Sequence, residues 1–126
     1  MARRRITHKD GIAAIQSVLA KPESQDISKD ADLITSVRYL LEELAEVAPG
    51  NSVEVRVPPY GAAQCIEGPR HTRGTPPNVV EMKPEVWFDI ALGIKSWSEV
   101  LDEHLVSASG VRATLEEVLP LKLRLS

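Results

Sequence analysis

Arg70, His71 and Arg73 fall within a stretch of chain that carries no acidic residue between Glu67 and Glu81. The hydroxyls of Thr72 and Thr75 and three prolines, Pro69, Pro76 and Pro77, share the segment. Two guanidiniums offer planar donor forks, and prolines lower the entropy of holding a ligand-ready shape. Such a set suits a carboxylate, a phosphate or the C-terminal end of a helix, and His71 adds charge below about pH 6.5. Two readings stand side by side. The loop is an anion or headgroup site, or its arginines bridge to Glu54, Glu81 or helix carbonyls and only fasten a long connection.

Other reactive residue types lead away from catalysis. Cys65 lies mid-strand between Gln64 and Ile66, where a thiol behaves as a buried hydrophobe and lacks the electropositive, accessible setting of a nucleophile. The segment Gly68-Pro-Arg-His-Thr-Arg-Gly74-Thr places five residues between its glycines and no lysine after them, so it is not a phosphate-binding loop of the Walker kind. No nucleophile elbow, HExxH or paired CxxC occurs. Glu42, Glu43 and Glu46, and Asp102 with Glu103, are expected on solvated helix faces opposite an apolar stripe, which argues against a metal centre. His104 is expected as a hydrogen-bonded packing residue near the end of its helix, and His8 as a first-turn residue. No catalytic residue, metal or cofactor is expected.

Composition narrows the field further. The chain has 126 residues, a formal charge of -3, one cysteine and five aromatic residues. One domain spanning residues 1–126 suits that length. An acidic average with few rings argues against nucleic acid, which demands a basic surface and stacking platforms. The lone cysteine excludes an internal disulfide and fits a reduced, cytoplasmic setting. The basic start Met1-Ala-Arg-Arg-Arg precedes no apolar stretch, and the longest unbroken apolar run has four residues, 12–15, against the ~20 that span a bilayer.

The elements that must position these groups follow from periodicity and caps. A helix is expected over residues 7–20, opened by Thr7 with Asp10 and stopped by Lys21-Pro22. The strongest stripe, Leu33, Val37, Leu40, Leu41, Leu44, Val47 and Ala48, predicts a second helix that Asp30 caps and Pro49-Gly50 ends. Val53, Val55 and Val57 then switch the period to two, a half-buried strand. Residues 62–67 are its hairpin partner across Pro58-Pro-Tyr-Gly61, and residues 78–82 a third strand. Pro84 opens a helix that Gly93 ends, Ser96-Trp-Ser-Glu99 is a capping box for another, and residues 105–109 form a last strand. Thr114-Leu-Glu-Glu117 predicts a short terminal helix before Pro120. The order gives an α+β fold.

Val53-Glu-Val-Arg-Val-Pro-Pro-Tyr-Gly-Ala-Ala-Gln-Cys65 and Gly68-Pro-Arg-His-Thr-Arg-Gly-Thr-Pro-Pro-Asn-Val-Val-Glu81 resemble the actinobacterial type of the bacterial sterol carrier protein family. Residues 87–93 with Ser96-Trp97 resemble the family's helix pair. Val106-Ser-Ala-Ser-Gly110, Arg112 and Leu119-Pro-Leu121 resemble its closing strand-glycine-helix segment. The likeness covers residues 31–121, so residues 1–30 are an extra N-terminal arm and helix, and the Arg/His loop is longer and more charged than in the family's lipid carriers.

The resemblance implies a curved, mostly antiparallel sheet of about four or five strands, covered by helices and enclosing an apolar cavity. It implies a non-enzymatic carrier for an amphipathic, anionic ligand such as a lipid, fatty acid or acyl-coenzyme A, without stable membrane insertion. Trp87, Phe88, Ile90, Leu101, Val106, Leu115 and Val118 would line the cavity, and Arg70, His71 and Arg73 would hold the anionic end at its mouth. The alternative is an accessory module for a partner enzyme, similar to the non-catalytic C-terminal domains of mycothiol-dependent isomerases.

Overall fold

A computed structural model describes residues 5–68 and 78–123. Helix α1 (His8–Leu19) starts where the Thr7 hydroxyl accepts the Asp10 amide at 3.1 Å. Its inner face, Gly11, Ala14, Ile15 and Val18, repeats at the three-to-four spacing that a helix packs. Helix α2 (Ala31–Val47) begins at Asp30, whose carboxylate accepts the Asp32 amide at 2.8 Å. Leu33, Val37, Leu40, Leu41 and Leu44 are all fully or nearly fully buried.

Contact between the two helices depends on Gly11. A Cβ there would land inside the Tyr39 ring, so only glycine admits the approach. Tyr39 is itself buried, its hydroxyl 2.8 Å from His8 Nδ1, with the two rings edge to face at 5.9 Å between centroids. Beyond α1, Lys21 Nζ donates to Asp30 at 2.8 Å and to Asp32 at 3.0 Å, and the Ser17 hydroxyl donates to Asp32 at 2.6 Å. These bonds hold both Asp30 and Asp32 below the usual carboxylate range and Lys21 above its ordinary value.

Strands β1 (Val53–Val57), β2 (Gly61–Cys65), β3 (Asn78–Met82) and β4 (Val106–Ser109) form one sheet in the order β2-β1-β3-β4. The hairpin β1–β2 is antiparallel, with Val53 opposite Cys65 and Val57 opposite Gly61. β3 and β4 are antiparallel too, but β1 and β3 run parallel, Val55 opposite Val80. Among the described residues the sheet is therefore mixed, four-stranded and not closed. Val53, Val55, Val57, Cys65, Val80 and Met82 make its buried face, and the paired Glu54 and Arg56 lie on the opposite face.

Helix α3 (Pro84–Leu92) is buried along most of its length, and the Trp87 indole donates to the Val37 carbonyl at 3.3 Å, tying it to α2. Helix α4 (Trp97–Asp102) carries the expected capping box, Ser96 accepting from the Glu99 amide at 3.1 Å and Glu99 accepting from the Ser96 amide at 3.2 Å.

Three local expectations are corrected. The terminal helix does not form: the Val118 and Leu119 amides both turn back to the Leu115 carbonyl, and the Leu121 amide bonds Ala91 of α3 at 2.9 Å. Between Thr114 and Pro120 there is room for little more than one turn, too short to repay nucleation, whereas burying Leu115 and Leu121 does repay it. Glu43 is buried, not solvated, because it lies one turn from Tyr39 on the flank of α2 that α1 packs against. Glu42 accepts the amides of Arg5 and Ile6 at 3.4 and 3.2 Å. His104 is exposed and sits past the end of α4 with φ +57°, so it turns the chain toward β4 and is not a core packing residue.

Candidate functional site

Chain on both sides of the Arg/His loop converges on one residue, Ser52. Its amide and hydroxyl donate to the Ile66 carbonyl at 3.1 and 2.7 Å. Gly68 lies so close that a Cβ on it would come within 2.6 Å of Ser52 Cβ. Where the loop returns, buried Asn78 donates its side-chain amide to the Ser52 carbonyl at 2.9 Å and accepts the Arg112 amide at 2.8 Å. One asparagine thus joins the start of β1, the start of β3 and the segment after β4.

Backbone strain is concentrated just before the loop. Ile66 holds φ +65°, uncommon for a β-branched residue, and costs about 1–3 kcal/mol. It is held there by the two bonds from Ser52 and by its own amide donating to the Ala48 carbonyl at 2.7 Å. Gly50, at φ +147°, lets the facing chain pass against the Ile66 backbone, which any Cβ would strike. Arg70, His71 and Arg73 themselves lie outside the described residues. Arg112, whose guanidinium approaches Gly68, is the described cation at the base of the loop.

Beside this base runs a groove of about 440 Å³ between the C-terminal end of α2 and the closing segment. Val47, Ala48, Val118, Leu119, Pro120 and Leu121 supply apolar walls, and Lys122 and Glu117 charged ones. Val47 is 59% exposed, a large apolar side chain left open to water. Ala48 links the groove to the loop, since it is the residue whose carbonyl holds Ile66. A second groove, of about 240 Å³, lies on the other side of the closing segment and shares Leu119 and Pro120 with the first; Ile90 and Trp97 line it.

The seven apolar side chains expected around a cavity divide into two sets. Trp87, Phe88, Ile90 and Leu115 are packed in the core, between α2, α3 and the sheet. Leu101, Val106 and Val118 reach the surface to varying degrees. Ile90 and Val118 are the two that border the grooves just described. Val47, Leu119 and Pro120 were missed as lining residues. The signal available for them was an apolar residue at the very end of a helix and a proline-centred turn, neither of which says what it faces.

The remaining groups with reactive chemistry are quiet. Cys65 is completely buried and its thiol is pushed up to about 12 by that burial, so no thiolate forms near neutral pH. Burial also raises Asp89 on α3, against the opposing charge of Lys95. Among the described residues no group of three or more His, Cys, Asp or Glu is placed to hold a metal ion, and no helix is long and apolar enough to cross a membrane.

Comparison with known proteins now bears on this arrangement. No curated protein matches the chain. The family profile described as bacterial SCP ortholog matches residues 29–121. That span is about three quarters of the chain; it takes in every element from α2 to β4, the Arg/His segment and the lining of both grooves except Lys122, and leaves α1 outside. With an α+β sheet of this order beneath the match, the chain belongs to the family of bacterial orthologs of the sterol carrier protein (SCP).

Proposed function

We propose that the chain is a non-enzymatic carrier or binding domain for an amphipathic, anionic lipid or acyl ligand. Family membership supports a lipid-binding, carrier-like role. The observation that carries the finer reading is the apolar groove of Val47, Val118, Leu119 and Pro120, with Lys122 on its wall, next to the Ala48–Ile66 bond that lies just before the Arg/His segment in the chain. An acyl tail lies in the groove and across the Leu119–Pro120 ridge. Of the other apolar side chains, Ile90 lines the second groove beyond Leu119 and Pro120, and Trp87, Phe88 and Leu115 belong to the packed core. Arg70, His71 and Arg73 would hold the carboxylate or phosphate through charge-assisted hydrogen bonds. Each buried methylene contributes about 0.8 kcal/mol, so the tail supplies most of the affinity and the loop supplies the choice of headgroup.

Native mass spectrometry of the full chain with palmitate, palmitoyl-coenzyme A and methyl palmitate tests this. The two anions are expected as one-to-one adducts at about 50 μM, and the uncharged ester weakly. Val118→Asp should abolish the adduct, and Arg70→Gln with Arg73→Gln should weaken it about tenfold. An adduct indifferent to Val118→Asp, or none at all, refutes the reading. The accessory-module alternative is favoured by a separate feature, the cleft along β2.

A further inference from the structure

A cleft of about 650 Å³ runs along the seam where α2 meets β2. Residues 60–64 form one wall without a break. Successive strand residues point to opposite faces, so an uninterrupted run lining one cleft means that the strand's backbone edge, and not one of its faces, forms that wall. β2 is the outer strand of the sheet and, among the described residues, pairs only with β1. Its side chains there, Gly61, Ala62 and Ala63, are the smallest available and leave that edge accessible.

The opposite wall is a stripe of α2, Arg38, Leu41 and Ala45. The helix and the strand run alongside each other in the same direction. Arg38 Nε donates to the Tyr60 carbonyl at 3.0 Å, a Leu41 methyl stands 3.1 Å from the Cβ position of Gly61, and the Ala48 carbonyl takes the Ile66 amide at 2.7 Å. From residue 38 to 45 the helix rises about 10 Å, which matches three to four extended residues of an added strand. Arg38 is exposed, and its Nη groups have no partner among the described residues. Arg5 lines the same cleft. Glu42 is there too, its carboxylate accepting the Arg5 and Ile6 amides, so two guanidiniums stand against one carboxylate and the lining is net positive.

We propose that this edge docks the C-terminal strand of a partner protein, added antiparallel to β2 with its terminal carboxylate on Arg38. The direction follows from the geometry. A strand antiparallel to β2 has its C-terminus beside Gly61, which is the Arg38 end. Main-chain hydrogen bonds give the affinity and the carboxylate gives the register. The site is distinct from the lipid groove and stands or falls separately from it.

The test titrates the full-length, isotope-labelled chain with the peptide Lys-Thr-Val-Thr-Val-Val, as the free acid and as the C-terminal amide, reading amide shifts and hydrogen exchange. Saturable shifts at residues 60–64 are expected below about 1 mM for the acid, with slowed exchange along β2. Arg38→Gln should weaken the acid about five- to tenfold and leave the amide unchanged. N-methylating alternate peptide residues should abolish binding in one of the two possible phases only. Four results overturn the proposal: equal binding of acid and amide, shifts confined to residues 117–122, palmitate displacing the peptide from residues 60–64, or a sedimenting dimer of this chain that the peptide does not disperse.

Discussion

Asn78→Ala removes a donor to the Ser52 carbonyl and an acceptor for the Arg112 amide in one step. Asn78 and Ser52 are each 2% exposed, so water cannot replace the lost donor at the Ser52 carbonyl. An orphaned buried group costs about 1–3 kcal/mol. The Arg112 amide is only part-buried and costs toward the lower end, giving a loss of about 2–4 kcal/mol in all. At about 2.1 cal/mol/K of unfolding entropy per residue, a chain of 126 residues loses about 4 °C in Tm for each kcal/mol, so the midpoint should fall by about 8–15 °C.

Urea unfolding with an unchanged slope is the assay. Asn78→Asp is the informative partner. It keeps the acceptor for Arg112 but turns a carboxylate toward the Ser52 carbonyl. Burial and that carbonyl disfavour its charged form, so its folded pKa lies above the unfolded value of about 3.9. The variant is therefore most stable relative to wild type below about pH 4 and loses ground as pH rises through the raised folded pKa. A loss under about 0.5 kcal/mol for Asn78→Ala, or an Asn78→Asp deficit that does not depend on pH, would refute the role assigned to this residue. The same variants should also weaken an anionic ligand, because they release the returning end of the loop from Ser52.

Gly11→Ala forces the α1–α2 contact apart at Tyr39; overpacking of about 1–3 kcal/mol exceeds the helix-propensity gain of about 1, so thermal unfolding should move down. Cys65 should resist an aromatic disulfide reagent at pH 8 in the native chain and react at once in urea. Since its thiol is pushed up to about 12 when folded, the native state retains a proton that the unfolded state loses above about pH 8.5. Stability should fall at about 1.4 kcal/mol per pH unit above that point relative to Cys65→Ala, which lacks this titration. Lys21→Ala should shift acid unfolding in the opposite sense. The lowered Asp30 and Asp32 contribute stability above their unfolded pKa that is lost as pH falls, so without Lys21 the decline below about pH 4 becomes shallower.

Much of the local structure is readable from spacing because it is set by neighbours in the chain. Thr7 and Asp30 cap their helices through bonds two or three residues away, the Ser96–Glu99 box closes on itself, and the alternation of Val53, Val55 and Val57 determines which face of β1 is buried. Asn78–Met82 carries the same bounds in sequence and structure. Where the outcome depended on a distant partner, periodicity pointed elsewhere. The segment after Thr114 has helix-start chemistry but is drawn out by Leu115 and Leu121 entering the core and by the bond to Ala91. Glu43 lies off the apolar stripe yet is covered, because α2 packs on two sides and a single-face pattern describes only one.

For the site, the division is sharper. The acid-free stretch around Arg70, His71 and Arg73, the buried inert cysteine and the family likeness are properties of residue types in order, and the sequence alone determined them. Which chain walls off a groove was decided in three dimensions. Ser52 and Asn78 are 26 positions apart, and Ala48 meets Ile66 only once the β1–β2 hairpin has folded back along α2. The parallel pairing of β1 and β3, which leaves β2 at the edge, is likewise invisible to any short window. A side chain's type travels with the sequence; the surface it faces exists only after non-local strands have paired and the helices have closed over them.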